Sequence, residues 1–112
     1  MEGYVFEPGM RQWNKLTGTF PVMAGTAVPY GRDKIILLGG VEELLPTSPE
    51  HPGFSRKVRV LDTETNALID TLDCSYPIPV TTNAVYTQNA VYIVSGEIQP
   101  GIRTPLILKG TF

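Results

Sequence analysis

Two stretches of this chain follow one plan. Arg32-Asp33-Lys34-Ile35-Ile36-Leu37-Leu38-Gly39-Gly40 is matched, fifty-six positions later, by Gln88-Asn89-Ala90-Val91-Tyr92-Ile93-Val94-Ser95-Gly96. A second pair of anchors is offset by fifty-five: Phe6-Glu7, six residues before Trp13, and Leu61-Asp62, six residues before Leu68. One residue is therefore inserted between the anchors in the later unit. Each unit also carries a proline-containing link, at Pro21 in one and at Pro77 and Pro79 in the other. A repeat of this length means that each copy is a supersecondary unit, which buries its apolar face against its neighbour rather than alone.

The apolar runs are those of strands. Ile35–Leu38, Val58–Leu61 and Val91–Val94 are short, rich in β-branched or aromatic residues, and bounded by Gly, Asn, Asp or Pro. No stretch keeps a helical apolar stripe for three turns. With 11 glycines and 10 prolines in 112 residues, tight turns are affordable throughout. The expectation is an all-β chain with strands near 3–7, 12–17, 24–30, 34–39, 57–62, 67–72, 81–87, 90–95 and 104–109.

The order of parts gives the class its expected name. A strand ends in a glycine pair, a loop follows, and the next strand runs into an acidic turn with a large apolar residue six positions on. That is the order in a kelch unit, whose period is roughly 50 residues. Glycine at the strand end allows close packing where a side chain would clash. The acidic residue accepts hydrogen bonds from its own turn, and the large apolar residue packs between neighbouring blades. Trp13 and Tyr92 are assigned to packing. The expected architecture is a kelch-type β-propeller of about two blade-equivalents. Residues 1–17 end one blade, 18–72 make a whole blade, and 73–112 supply three strands of the next. A closed propeller needs at least about four blades, so two do not close alone.

Charge excludes some partners. The net charge is −2 and the charges are scattered, so there is no basic stripe for nucleic acid and no polybasic arm for a membrane surface. No run reaches the ~18 apolar residues of a membrane span. The single Cys74 excludes an internal disulfide framework and reads as a small apolar residue; one cysteine and His51 are too few for a Cys/His metal site. No metal or cofactor is expected.

The loops after Gly40 and Gly96 leave equivalent strands and should emerge on one face. The first, Val41 to Lys57, carries His51, Phe54 and Arg56 among prolines; the second is Glu97-Ile98-Gln99-Pro100-Gly101-Ile102-Arg103. Its Pro-Gly turn should fold the segment back and bring Glu97 and Arg103 to one side. Such a pair serves as a general acid/base with an arginine gripping an anion, or as a surface salt bridge pinning the loop. His51 reads as a polar contact over the site or as a solvated loop residue, and Arg56 as a second positive charge or half of an ion pair. Thr82 and Asn83, placed on an inner strand, face the channel or satisfy sheet-end backbone groups.

At this loop a family resemblance becomes specific. Gly96-Glu97-Ile98-Gln99-Pro100-Gly101-Ile102-Arg103-Thr104 resembles the G-E-x-x-P-G-x-R-T signature of the sialic acid mutarotases, or N-acetylneuraminate epimerases, which are six-bladed kelch propellers. The likeness extends through Met23–Thr26, Leu38–Val41, His51–Arg56 and Val80–Thr82. It is nearest to the cyclically permuted branch, and implies that the chain corresponds to the last third of such a protein. The resemblance implies an isomerase that interconverts the α and β anomers of N-acetylneuraminic acid, with Glu97 as acid/base and Arg103 on the sugar carboxylate. His51, Arg56 and Asn83 are the candidate substrate contacts. Ser95, where many kelch units have Gly, and Leu68, where many have Trp, depart from the pattern. Members of the family are often periplasmic; no targeting segment in these residues supports or opposes that. The alternative is a kelch module that only binds protein partners, and open blade edges allow self-association, up to a trimer closing six blades.

Overall fold

The computed structural model describes residues 2–16, 24–47 and 51–111. Every regular element among them is a β-strand, and every pairing is antiparallel. In chain order the strands are β1 (Tyr4–Glu7), β2 (Gln12–Lys15), β3 (Thr26–Tyr30), β4 (Lys34–Leu38), β5 (Lys57–Asp62), β6 (Ala67–Asp73), β7 (Ala84–Thr87), β8 (Ala90–Val94), β9 (Glu97–Gln99), β10 (Ile102–Arg103) and β11 (Ile107–Thr111). They form a β1–β2 hairpin, a four-stranded meander β3-β4-β5-β6, a three-stranded sheet β11-β8-β7 and a β9–β10 hairpin.

Local chemistry sets the turns. Gln88 and Asn89 both take positive φ (51° and 61°) between the paired Thr87 and Ala90, which is the two-residue turn whose twist matches its flanking strands. After β5, the Asp62 carboxylate accepts the N–H groups of Glu64 (2.8 Å) and Thr65 (3.0 Å). This is the expected role of an acidic turn residue. Its equivalent Glu7 works differently, accepting from the Asn14 side chain across the β1–β2 hairpin at 3.0 Å.

The two larger sheets pack face to face. Val28, Ile36, Leu38 and Val58 from the first meet Val91 and Ile93 from the second, with Ile78 of the connecting segment between them. Burying each such side chain contributes about 1.5–3 kcal/mol. Tyr30 meets Tyr86 edge-on at 5.6 Å, and the Thr26 hydroxyl donates to the Thr82 carbonyl at 3.3 Å. These contacts hold β3 close to β7. Toward β6 and β11 the sheets diverge around an apolar cavity of about 560 Å³, lined in part by Leu72, Cys74, Ile78 and Leu108.

Several boundaries move from those expected. β7 begins at Ala84 rather than near 81, because Thr81 adopts a positive φ of 54° and the chain bends there. Thr82 and Asn83 therefore precede the strand instead of lying on it. The last strand runs from Ile107 to Thr111 rather than 104–109, since Thr104 is tied back to Gly96 by a 2.9 Å backbone bond. Among the described residues, Trp13 is 65% exposed and its ring meets that of Phe6, its cross-strand partner, at 5.1 Å. Pro21 and the end of the second expected strand at Thr17 lie outside the described residues.

Candidate functional site

The site is built on the turn that ends β8. Ser95 and Gly96 both have positive φ (58° and 108°), as do Gly39 and Gly40 (62° and 98°) at the end of β4. A positive φ is ordinary for glycine and costs other residues about 1–2 kcal/mol. Ser95 holds the conformation with side-chain help: its hydroxyl donates to the Thr104 carbonyl at 2.8 Å. At Gly96 nothing larger fits. A Cβ there would lie 2.7 Å from Pro79 Cβ and 2.8 Å from both Thr82 Cγ2 and the Val80 carbonyl oxygen.

That close approach seats β9 on the segment before β7. Val80 and Glu97 exchange two backbone hydrogen bonds, each 2.9 Å. The chain then turns through Pro100-Gly101, with Gly101 at φ 75°, and returns as β10. In this hairpin Arg103 is the direct cross-strand partner of Glu97, as the Pro-Gly turn predicts. The two side chains do not form an ion pair. Glu97 Oε1 accepts the Gly101 N–H at 2.6 Å, while the Arg103 guanidinium donates to the Thr81 hydroxyl at 3.4 Å. The carboxylate thus secures its own turn through one oxygen. Arg103 is exposed and keeps most of its donors free.

Beside the hairpin lies an open cleft of about 400 Å³, with Leu45 and residues 51–56 on one side, the β9–β10 turn on the other, and Pro77 completing its lining. His51 and Arg56 line it from the loop, and Ile98, Gln99 and Pro100 from the hairpin. His51 stacks on Phe54 at 4.9 Å, and its Nδ1 is buried without a hydrogen-bond partner. Arg56 donates to the Ser75 carbonyl at 3.0 Å, which ties the loop to the chain beyond β6. The structure therefore brings His51 and Arg56 together at the cleft and places Glu97 and Arg103 on the adjoining hairpin. Asn83 is exposed and lines no part of the cleft.

Two groups escape a reading of the residues as a string. Thr81, the partner of Arg103, is positioned by the bend before β7. The second is an ion pair at the root of the long loop, where Glu42 accepts from Arg59 and, at 2.9 Å, from Ser55. The Arg59 guanidinium holds the Glu42 carboxyl below the usual carboxylate range. Arg59 is only 7% exposed, and its Nη1 has no partner. An arginine within an alternating strand looks solvent-facing in sequence, and no signal marks the loop that covers it. Cys74 packs against the core, where burial pushes its thiol pKa up, away from nucleophilic use.

No family model matches this chain, and no curated protein does.

Proposed function

We propose that the chain is part of a kelch-type propeller that interconverts the anomers of a sialic acid, with Glu97 as acid/base and Arg103 as the anion grip. The observation that carries this reading is the β9–β10 hairpin. Glu97 and Arg103 are partners across it, unpaired with each other, beside a cleft holding His51 and Arg56. The salt bridge that would make the pair merely structural is not formed. The propeller reading is supported by the repeated four- and three-stranded sheets, which touch at β3 and β7 and diverge outward as blades around an axis do.

The chemistry asks for little machinery. Glu97 Oε1 is held by Gly101, which leaves Oε2 to move a proton. The carboxylate takes the proton from the anomeric hydroxyl, the bond from anomeric carbon to ring oxygen breaks, and the new carboxylic acid returns the proton to that ring oxygen. After rotation about the adjacent bond the steps reverse on the other face of the carbonyl. Arg103 offers parallel N–H donors that suit the sugar's own carboxylate.

The test is anomer exchange in N-acetylneuraminic acid, followed by NMR, in the protein that carries these residues. Glu97→Gln keeps the acceptor for Gly101 but cannot take the proton, and should lower the catalysed rate by about 10²–10⁴. Arg103→Ala should chiefly weaken substrate binding. An exchange rate unchanged by Glu97→Gln would refute the catalytic reading. It would leave the cleft of Leu45, His51, Phe54 and Ile98 as a partner-binding surface.

A further inference from the structure

The long loop leaves the four-stranded sheet at Gly40 and returns to it at Lys57, and its two ends are fastened by side chains as well as by backbone. The Gly39 N–H donates to the Lys57 carbonyl at 3.0 Å, and the Ser55 N–H to the Gly40 carbonyl at 2.8 Å. Beside them, Glu42 Oε1 accepts from two donors: the Arg59 guanidinium of β5 and, at 2.9 Å, the Ser55 hydroxyl. The same hydroxyl oxygen accepts the Lys57 N–H at 3.1 Å. A line of contacts therefore runs from Arg59 through Glu42 to Ser55 and on to Lys57.

Its anchor is buried. Arg59 is 7% exposed and its Nη1 has no partner; among the described residues Glu42 is the one carboxylate paired with it. A buried arginine in such a pair contributes little net stability against an apolar side chain of similar volume. What it supplies here is position. Ser55 stands between Phe54 and Arg56, and both of these line the cleft beside the β9–β10 hairpin. Arg56 has a separate tie, to the Ser75 carbonyl at 3.0 Å. Phe54 adjoins the fastened Ser55, and its ring stacks with that of His51 at 4.9 Å.

We propose that Arg59 and Glu42 are positioning residues: their ion pair holds Ser55, and through it sets the place of Phe54 and His51 on the wall of the cleft. The inference rests on the sialic acid reading for the ligand used in part of its test, whereas the hold on the loop needs no ligand.

Native-state hydrogen exchange tests the hold directly. Arg59→Met replaces the guanidinium by an apolar side chain that fits its place, so the unfolding free energy should stay near that of the wild type. The Ser55 and Lys57 amides should nevertheless exchange about tenfold faster, the effect of one lost charge-assisted hydrogen bond, while amides in β4 and β8 keep their rates. Glu42→Ala should loosen the same two amides, and it carries the test should Arg59→Met fail to fold. Glu42→Gln, whose amide oxygen still accepts from both donors, should keep them protected. Exchange at Ser55 and Lys57 as slow in Arg59→Met as in the wild type would overturn the inference. In the anomer-exchange assay, Arg59→Met should raise KM about tenfold and leave kcat unchanged, with Glu42→Gln close to the wild type in both. Loosened amides with an unchanged KM would overturn the role at the cleft. A wild-type protein without anomer exchange, in which Arg59→Met still loosens the two amides, would refute the sugar reading and support the hold.

Discussion

Replacing Gly96 by alanine should damage this protein far more than replacing Gly101, although both sit in the same hairpin region with positive φ. At Gly96, φ is 108° and three atoms lie within 2.8 Å of where a Cβ would stand. None of the three can yield easily. Pro79 is a rigid ring. The Val80 carbonyl accepts the Glu97 N–H at 2.9 Å, and Thr82 is held by its 2.9 Å bond to the Val94 carbonyl. The left-handed conformation costs about 1–2 kcal/mol for a residue with a Cβ, and forced overpacking adds about 1–3 kcal/mol. Gly96→Ala should therefore lose about 2–5 kcal/mol, a large share of the ~5–15 kcal/mol that holds a typical domain together. Gly101, at φ 75° with nothing within 4 Å, presents only the conformational part, so Gly101→Ala should lose about 1–2 kcal/mol. Equilibrium urea denaturation separates the two, and each kcal/mol should move the thermal midpoint by about 4–8 °C in a chain of this size. Equal losses would show that contact at Gly96 is not what seats the hairpin. The reasoning would then fail at its first step.

The equivalent turn predicts an asymmetry. Gly39→Ser should destabilise by about 2–4 kcal/mol, because a Cβ there would lie 2.8 Å from Ile78 Cβ; Ser95→Gly should change stability by less than about 1 kcal/mol, relief of the positive φ offsetting the lost bond to Thr104. Chemical denaturation of both variants checks this. At the ion pair between buried Arg59 and exposed Glu42, Glu42→Ala should cost about 1–3 kcal/mol by leaving the Arg59 guanidinium unpaired, whereas Arg59→Met should be close to neutral, since Glu42 can turn to water. A larger loss from Arg59→Met would contradict the account. Stability should also fall in acid. The bonds from Thr65 and Glu64 hold the Asp62 pKa below its ordinary value, as Arg59 does for Glu42. Folded carboxylates with lowered pKa bind fewer protons than unfolded ones, so their contribution is present above the ordinary range of about 4 and lost as pH falls through the folded value. Asp62→Asn should flatten that slope in denaturation midpoints measured from about pH 6 to about pH 3.

Most of the strands were legible because their signals are local. Alternation in Val58–Leu61, the Gln88-Asn89 turn and the Gly39-Gly40 stop each mark an element without knowledge of its neighbours, and β4, β5 and β8 stand within a residue of where these signals put them. The shifted boundaries of β7 and β11 share one cause. Thr81 bends, β7 starts late and Thr104 stays out of β11 because the β9–β10 hairpin docks on Val80, and that docking joins residues far apart in the chain. The same contact explains the candidate site. The Pro100-Gly101 turn announces that Glu97 and Arg103 will share a side, since hairpin register follows from turn length. What the turn leaves open is whether the two charges neutralise each other. That is decided by outside competitors: the Gly101 N–H takes one oxygen of Glu97, and Thr81, presented by its own bend, draws Arg103 aside. A carboxylate and a guanidinium held near each other yet unpaired keep their binding capacity for a third charged group. The close packing at Gly96 seats the hairpin beside Val80 and Thr82, next to the Thr81 hydroxyl that Arg103 meets.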